Sequence, residues 1–145
     1  MSRYLLDTNI LSNATKPAPS QPLLQWLGDR ADADLFIATL TLAELWYGIQ
    51  DLPAGKKRRQ LESWFSGPEG PQALFAGRVL PFDENAALIW GRLMSEGNRI
   101  GRPRSALDMI LLAIAQANNC TVATDNEKHF VGLPFINPMR SPIDS

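Results

Sequence analysis

The sequence predicts an α/β fold built on a mostly parallel central sheet of four to five strands. Three observations carry this. Short apolar runs recur along the chain, beginning with Tyr4, Leu5 and Leu6, and each gives way abruptly to polar residues. Between them lie longer stretches whose apolar residues recur at helical spacing. The first run has no polar member, which suits a strand covered on both faces in the middle of a parallel sheet. Strands alternating with helices are the pattern of that fold class.

The elements follow in order. Strand one ends at Asp7, and a turn-rich loop with three prolines spans Asn13 to Pro22. A short helix is expected from Pro22 to Arg30, with proline suited to its first turn. Leu35 to Ala38 reads as strand two, and Thr41 to Gln50 as the next helix, ended by Asp51-Leu-Pro53. Lys56 to Phe65 is predicted helical, basic on one side and apolar on the other. Ser66 to Pro71 reads as loop and Arg78 to Pro81 as strand three. Asp83 has the chemistry to cap a helix running to about Glu96. A basic, glycine-containing loop, Gly97 to Pro103, leads to an apolar helix from Ser105 to about Ala117, ended by Asn118-Asn119. Cys120 to Thr124 is strand four, and Phe135-Ile136 a last edge strand.

The composition limits the classes. At 145 residues the chain is expected to be one domain with a substantial core. The net charge of −1 excludes no partner, because local patches matter more than totals. The longest apolar run, Met109 to Ala115, is too short to span a bilayer, which takes about 20 residues. The N-terminus reads as a strand and not as a signal sequence. The single cysteine, Cys120, sits in an apolar segment and reads as a small core residue. A cytoplasmic protein is expected.

The acidic residues carry the chemistry. Asp7 follows strand one, Glu44 opens the helix after strand two, and Asp125 follows strand four. Strand C-terminal ends of open α/β sheets are where ligands bind. Asp108 sits on the first turn of the helix that enters strand four, and periodicity alone does not place that turn on the same face. Gathered carboxylates repel and raise each other's pKa values unless a cation sits among them. Mg²⁺ is such a cation, with an oxygen shell, several retained waters and one or two carboxylates. Helix capping competes with this reading. Both Thr41-x-x-Glu44 and Ser105-x-x-Asp108 have the capping-box pattern, and Asp125-Asn126 could be turn chemistry.

Four segments resemble the PIN-domain ribonucleases, specifically the VapC-type toxins of type II toxin–antitoxin systems (FitB-like subgroup). They are Tyr4-Leu-Leu-Asp7-Thr8-Asn9-Ile-Leu-Ser12, Ile37 to Gly48, Ala106 to Ala113, and Thr121 to Phe130, in this order across nearly the whole chain. The resemblance implies a PIN-like α/β/α sandwich over residues 1–140, followed by a tail at 141–145. It implies that Asp7, Glu44 and Asp108 bind Mg²⁺, or Mn²⁺ in its place, beside Asp108's helix start. Asn126 maps onto the fourth position of the site, while Asp125 stands where the family commonly has a basic residue. Thr8 would offer a hydroxyl near the metal, with Thr39 or Thr124 as support. Arg99, Arg102 and Arg104 are candidates to guide RNA phosphates, ahead of the basic face at Lys56–Arg59. His129 reads as a surface or packing residue. The implied activity is Mg²⁺-dependent endoribonuclease, held silent by a VapB-like antitoxin received near Trp46, Tyr47, Trp64 and Phe65, in a homodimer.

Two other readings compete. A phosphate-accepting receiver-like module also gathers acids around Mg²⁺, but it wants an acidic pair after strand one and a phosphoacceptor after strand three. This chain has a single Asp7 and Pro81-Phe82-Asp83 there. A degenerate PIN interaction protein is disfavoured by the intact Asp7, Glu44 and Asp108.

Overall fold

A computed structural model describes residues 2–140. Four parallel strands, β1 (Tyr4–Leu6), β2 (Leu35–Ala38), β3 (Val79–Leu80) and β4 (Thr121–Ala123), lie in the order β3-β2-β1-β4. The strand at the N-terminus is therefore flanked on both sides, as its uninterrupted apolar run predicts. Ile136 adds one parallel bridge beside Ala123, so the fifth strand is a single rung.

Side chains alternate across the sheet with period two. Leu5, Phe36 and Val122 point into one core, while Leu6, Leu35, Ile37 and Ala123 point into the other. The first core is closed by α6 (Glu84–Arg99) and α7 (Ala106–Ala117), which pack along one another. The second is closed by α1 (Thr8–Ala14) and α2 (Gln21–Gly28) through Ile10 and Leu23. The result is an α/β/α sandwich. In α7, Met109 and Leu111 to Ala115 are all buried, and each fully covered Leu or Ile contributes about 1.5–3 kcal/mol. That apolar wrap is why α7 forms on the inside of the sandwich.

Three further helices, α3 (Thr39–Gln50), α4 (Lys56–Ser66) and α5 (Pro71–Leu74), fill the connection from β2 to β3. The structure differs from the sequence reading in four local ways. Residues 8–14 are helical because Asp7 caps them, its carboxylate accepting from the Thr8 N–H. The one-turn α5 begins at the last residue of the expected loop, Pro71, and fills a stretch to which the sequence reading assigns no element. Helix α3 begins at Thr39, so Thr41 lies inside it, buried, with its hydroxyl unbonded, and no side chain caps this helix. Helix α6 runs on to Arg99 because Gly97 is a close-approach position: a Cβ there would meet the Arg102 carbonyl oxygen and Arg104 side chain at 3.0 Å. The predicted caps at Asp83 and Ser105 are present, accepting from Ala86 N at 2.9 Å and Asp108 N at 3.3 Å. Asn119 ends α7 with a φ of 55°, a conformation asparagine tolerates better than most residues. Residues 141–145, expected as a tail, lie outside the described residues.

Candidate active site

Asp7 occupies the C-terminal tip of the central strand and is nearly covered, at 7 % exposure. A carboxylate so placed needs donors. Its Oδ1 accepts from Thr8 N at 2.7 Å, and its Oδ2 accepts from Thr124 Oγ1 at 2.8 Å and Asn9 Nδ2 at 3.3 Å. Thr124, wholly buried at the tip of the adjacent β4, is the hub. Besides donating to Asp7, its hydroxyl oxygen accepts from Asn9 Nδ2 at 3.3 Å and from Asn126 N at 3.0 Å. Asn9 closes the ring by accepting from Asp125 N at 3.1 Å.

Two more carboxylates stand within electrostatic reach of Asp7. Burial is the main cause that pushes the Asp7 pKa above its ordinary value; Asp108 and Glu44 push the same way, while the Thr124 and Thr8 hydrogen bonds oppose it. The start of α7 thus faces the strand tips, which periodicity left open. Glu44 accepts from the Thr8 hydroxyl at 2.7 Å. This bond, and not a cap, is its engagement, since α3 starts five residues earlier. Asp108 Oδ2 lies 2.5 Å from His129 Nδ1, and Asn126 Nδ2 lies 2.8 Å from the same nitrogen. An ionised Asp108 makes Nδ1 the donor, so the Asn126 amide nitrogen beside it, itself a donor, is a close neighbour and not a second hydrogen bond.

The remaining candidates are placed as follows. Asp125 is exposed and turned toward Asn137 Nδ2, 3.0 Å away. Thr39 is exposed. Arg104 is committed to the fold: it donates to the Leu93 carbonyl at 2.7 Å and to Glu96 at 3.1 Å, with its side chain only 10 % exposed. Arg99 ends α6, and Arg102 is exposed in the following loop. Arg58 is drawn toward Gln50 and Glu62 on its own side of the molecule. Trp46 and Phe65 pack with tilted rings, their centroids 4.9 Å apart, and Tyr47, next to Trp46 in sequence, is largely exposed. Sequence reasoning missed Asn9 and undervalued His129. The Asp7-Thr8-Asn9 spacing carried the signal for the first, because an Asn two residues on can bond back to Asp. Nothing local signalled the second, which reaches Asp108 only through the tertiary fold.

The donor set is one of hard oxygens, which suits Mg²⁺ or Mn²⁺ and not a soft metal. Among the described residues, no three His, Cys, Asp or Glu side chains converge closely enough to ligate an ion directly. Glu44 is drawn to Thr8 and Asp108 to His129. The arrangement fits a hydrated cation, which needs only one or two carboxylates and reaches the others through water.

The PIN domain profile matches residues 4–135. The chain belongs to the PIN domain family, in its branch of VapC and FitB toxins. It is 35 % identical over 136 residues to VapC ribonuclease Y4jK of Sinorhizobium fredii, covering 92 % of this chain and 96 % of that one. It is 36 % identical over 126 residues to toxin FitB of Neisseria gonorrhoeae, covering 87 % and 89 %. The crystal structure of FitAcB from Neisseria gonorrhoeae superposes with a TM-score of 0.87 at 33 % identity, covering 95 % of this chain and 99 % of that chain. Among the described residues, no helix is long and apolar enough to cross a membrane.

Proposed function

We propose that this PIN toxin is a divalent-metal-dependent endoribonuclease whose site is Asp7, Glu44 and Asp108, with Asn126 at the fourth position. The observation that carries it is the buried Asp7, with raised pKa, facing two other carboxylates at the strand tips. The relatives named as ribonucleases support the substrate class. A bound Mg²⁺ or Mn²⁺ supplies an activated water and positive charge for the developing oxyanion. The protein's part is placement. Thr124, Asn9 and the Thr8 N–H fix both oxygens of Asp7, the Thr8 hydroxyl orients Glu44, and His129 orients Asp108. In-line hydrolysis at such a site leaves 5′-phosphate and 3′-hydroxyl ends. Residues 1–140 act as one unit, in the cytoplasm, as a homodimer.

The partner is an antitoxin, which the similarity to the FitAcB assembly supports. The partly exposed Trp46 and Tyr47 of α3 offer it a surface. The test is RNA digestion by the free chain, wild type beside Asp7→Asn, with Mg²⁺, Mn²⁺ or EDTA. Metal-dependent cleavage lost in the variant is expected. Intact RNA under every condition, together with no divalent binding by calorimetry, overturns the reading.

A further inference from the structure

A second feature adjoins the carboxylates. A cavity of about 170 Å³ opens between the loop after α6, the start of α7 and the segment after β4. Its rim carries the cations Arg102 and Lys128, both exposed, and neither forms an ion pair among the described residues. Its lining is mixed: Ile100 and Val131, which stand 58 % and 63 % open to solvent, and Leu133 supply apolar walls, while Arg104 and Ser105 add polar atoms. His129 forms the wall shared with the carboxylate site: it lines this cavity while its Nδ1 contacts Asp108.

Size and chemistry narrow the occupant. The volume equals the share of about six waters, the scale of one heterocyclic ring system and well below a drug-sized pocket. Cations alone would serve any anion, and apolar walls alone would serve any small hydrophobe. Together they match a nucleotide, whose base offers a flat apolar face beside a charged phosphate. Only an unstacked base is free to enter, because a duplex keeps its bases paired and stacked.

We propose that this cavity is a subsite for one unstacked base of a single-stranded RNA, with the adjoining phosphate on Arg102 and Lys128. The proposal rests on the ribonuclease reading. It places the neighbouring nucleotide one side chain, His129, away from Asp108.

The experiment measures binding without catalysis: fluorescence anisotropy of a short labelled single-stranded oligoribonucleotide with the full chain in EDTA. Val131→Asp, at an exposed position, puts a carboxylate against the base site. It is expected to weaken binding about ten-fold, because the new carboxylate repels the phosphates beside the base. Lys128→Ala and Arg102→Ala are each expected to weaken binding and to make the salt dependence shallower by about 0.7 in log–log slope, one phosphate contact on a single strand. Lys16→Ala, at an exposed position just after α1, removes the same charge elsewhere and is expected to leave binding unchanged. Wild-type binding that all three cavity variants retain overturns the subsite while leaving the ribonuclease reading intact. Failure of wild type to bind any single-stranded RNA, together with failure to digest RNA in Mn²⁺, overturns both.

Discussion

Replacing Thr124 by Val isolates the hub that holds Asp7. The substitution keeps the shape of a fully buried side chain and removes only its hydroxyl. Three interactions go with it: the 2.8 Å donation to Asp7 and the acceptances from Asn9 and Asn126. A hydrogen bond to a charged group contributes about 1.5–3 kcal/mol, and leaving the Asn126 N–H without its partner adds about 1 kcal/mol. The expected loss is about 3 kcal/mol, or roughly 8 °C in Tm for a chain of this size. Thr124→Ser keeps the hydroxyl and loses a buried methyl, costing about 1 kcal/mol. Thermal unfolding followed by circular dichroism ranks the three proteins. The Val deficit must also shrink as the pH falls through the Asp7 pKa, because the lost bond is charge-assisted only while Asp7 is ionised. A Val variant as stable as the Ser variant, or a deficit that stays unchanged as the pH is lowered through the titration of Asp7, would refute the role given to this hydroxyl.

Asp7 also sets a pH dependence for the metal-free chain. Its native pKa is raised above the ordinary 3.8, so the folded state holds a proton that the unfolded state has released. Stability therefore falls as pH rises from about that value through the raised native pKa; a flat profile for the Asp7→Asn variant over the same window, by chemical denaturation, checks the assignment. Adding Mn²⁺ to 100 times its Kd should stabilise wild type by about 2.7 kcal/mol at pH 7.5, and less as the pH falls through the raised Asp7 pKa, where protons compete for the carboxylate; an equal shift across that titration counts against Asp7 as the ligand. Ser105→Ala removes the cap of α7 and should cost about 1 kcal/mol, read as a small drop in Tm. Thr41→Val replaces a buried unbonded hydroxyl by a methyl and should raise stability by up to about 1 kcal/mol; a clear loss would mean that the hydroxyl has a partner.

The parts legible in the sequence were those written in one continuous pattern. Strands β1 and β2 have no polar interruption, and α7 runs from a serine cap to an asparagine stop, so their bounds could be read directly. Helix α1 was not legible because seven residues of middling helix propensity hold too little periodicity, and its cap, Asp7, belongs to the strand before it. Gly97 looked like a loop residue because glycine has two uses, freedom and smallness, and only the neighbouring chain reveals which applies. At the site, Asp7, Glu44 and Asp108 were singled out by their places at strand tips and helix starts and grouped by the resemblance, whereas the pattern Thr41-x-x-Glu44 pointed to a cap that α3 does not have. Pattern alone cannot tell a helix's first turn from its second. Asn9 bonds Asp7 locally, but its bond to Thr124 spans 115 positions and that of His129 to Asp108 spans 21, and no local rule reaches that far.

The bond between Asp7 and Thr124 joins positions 117 residues apart. During synthesis the chain emerges N-terminus first, so β1 waits, unpaired on one side, until β4 is made. The carboxylate cluster therefore has no fixed geometry on the ribosome until almost the whole protein has been translated. Contacts of such long range form late in folding, after the entropy of closing the loop has been overcome. The strand that completes the sheet is thus also the strand whose tip, Thr124, fixes Asp7.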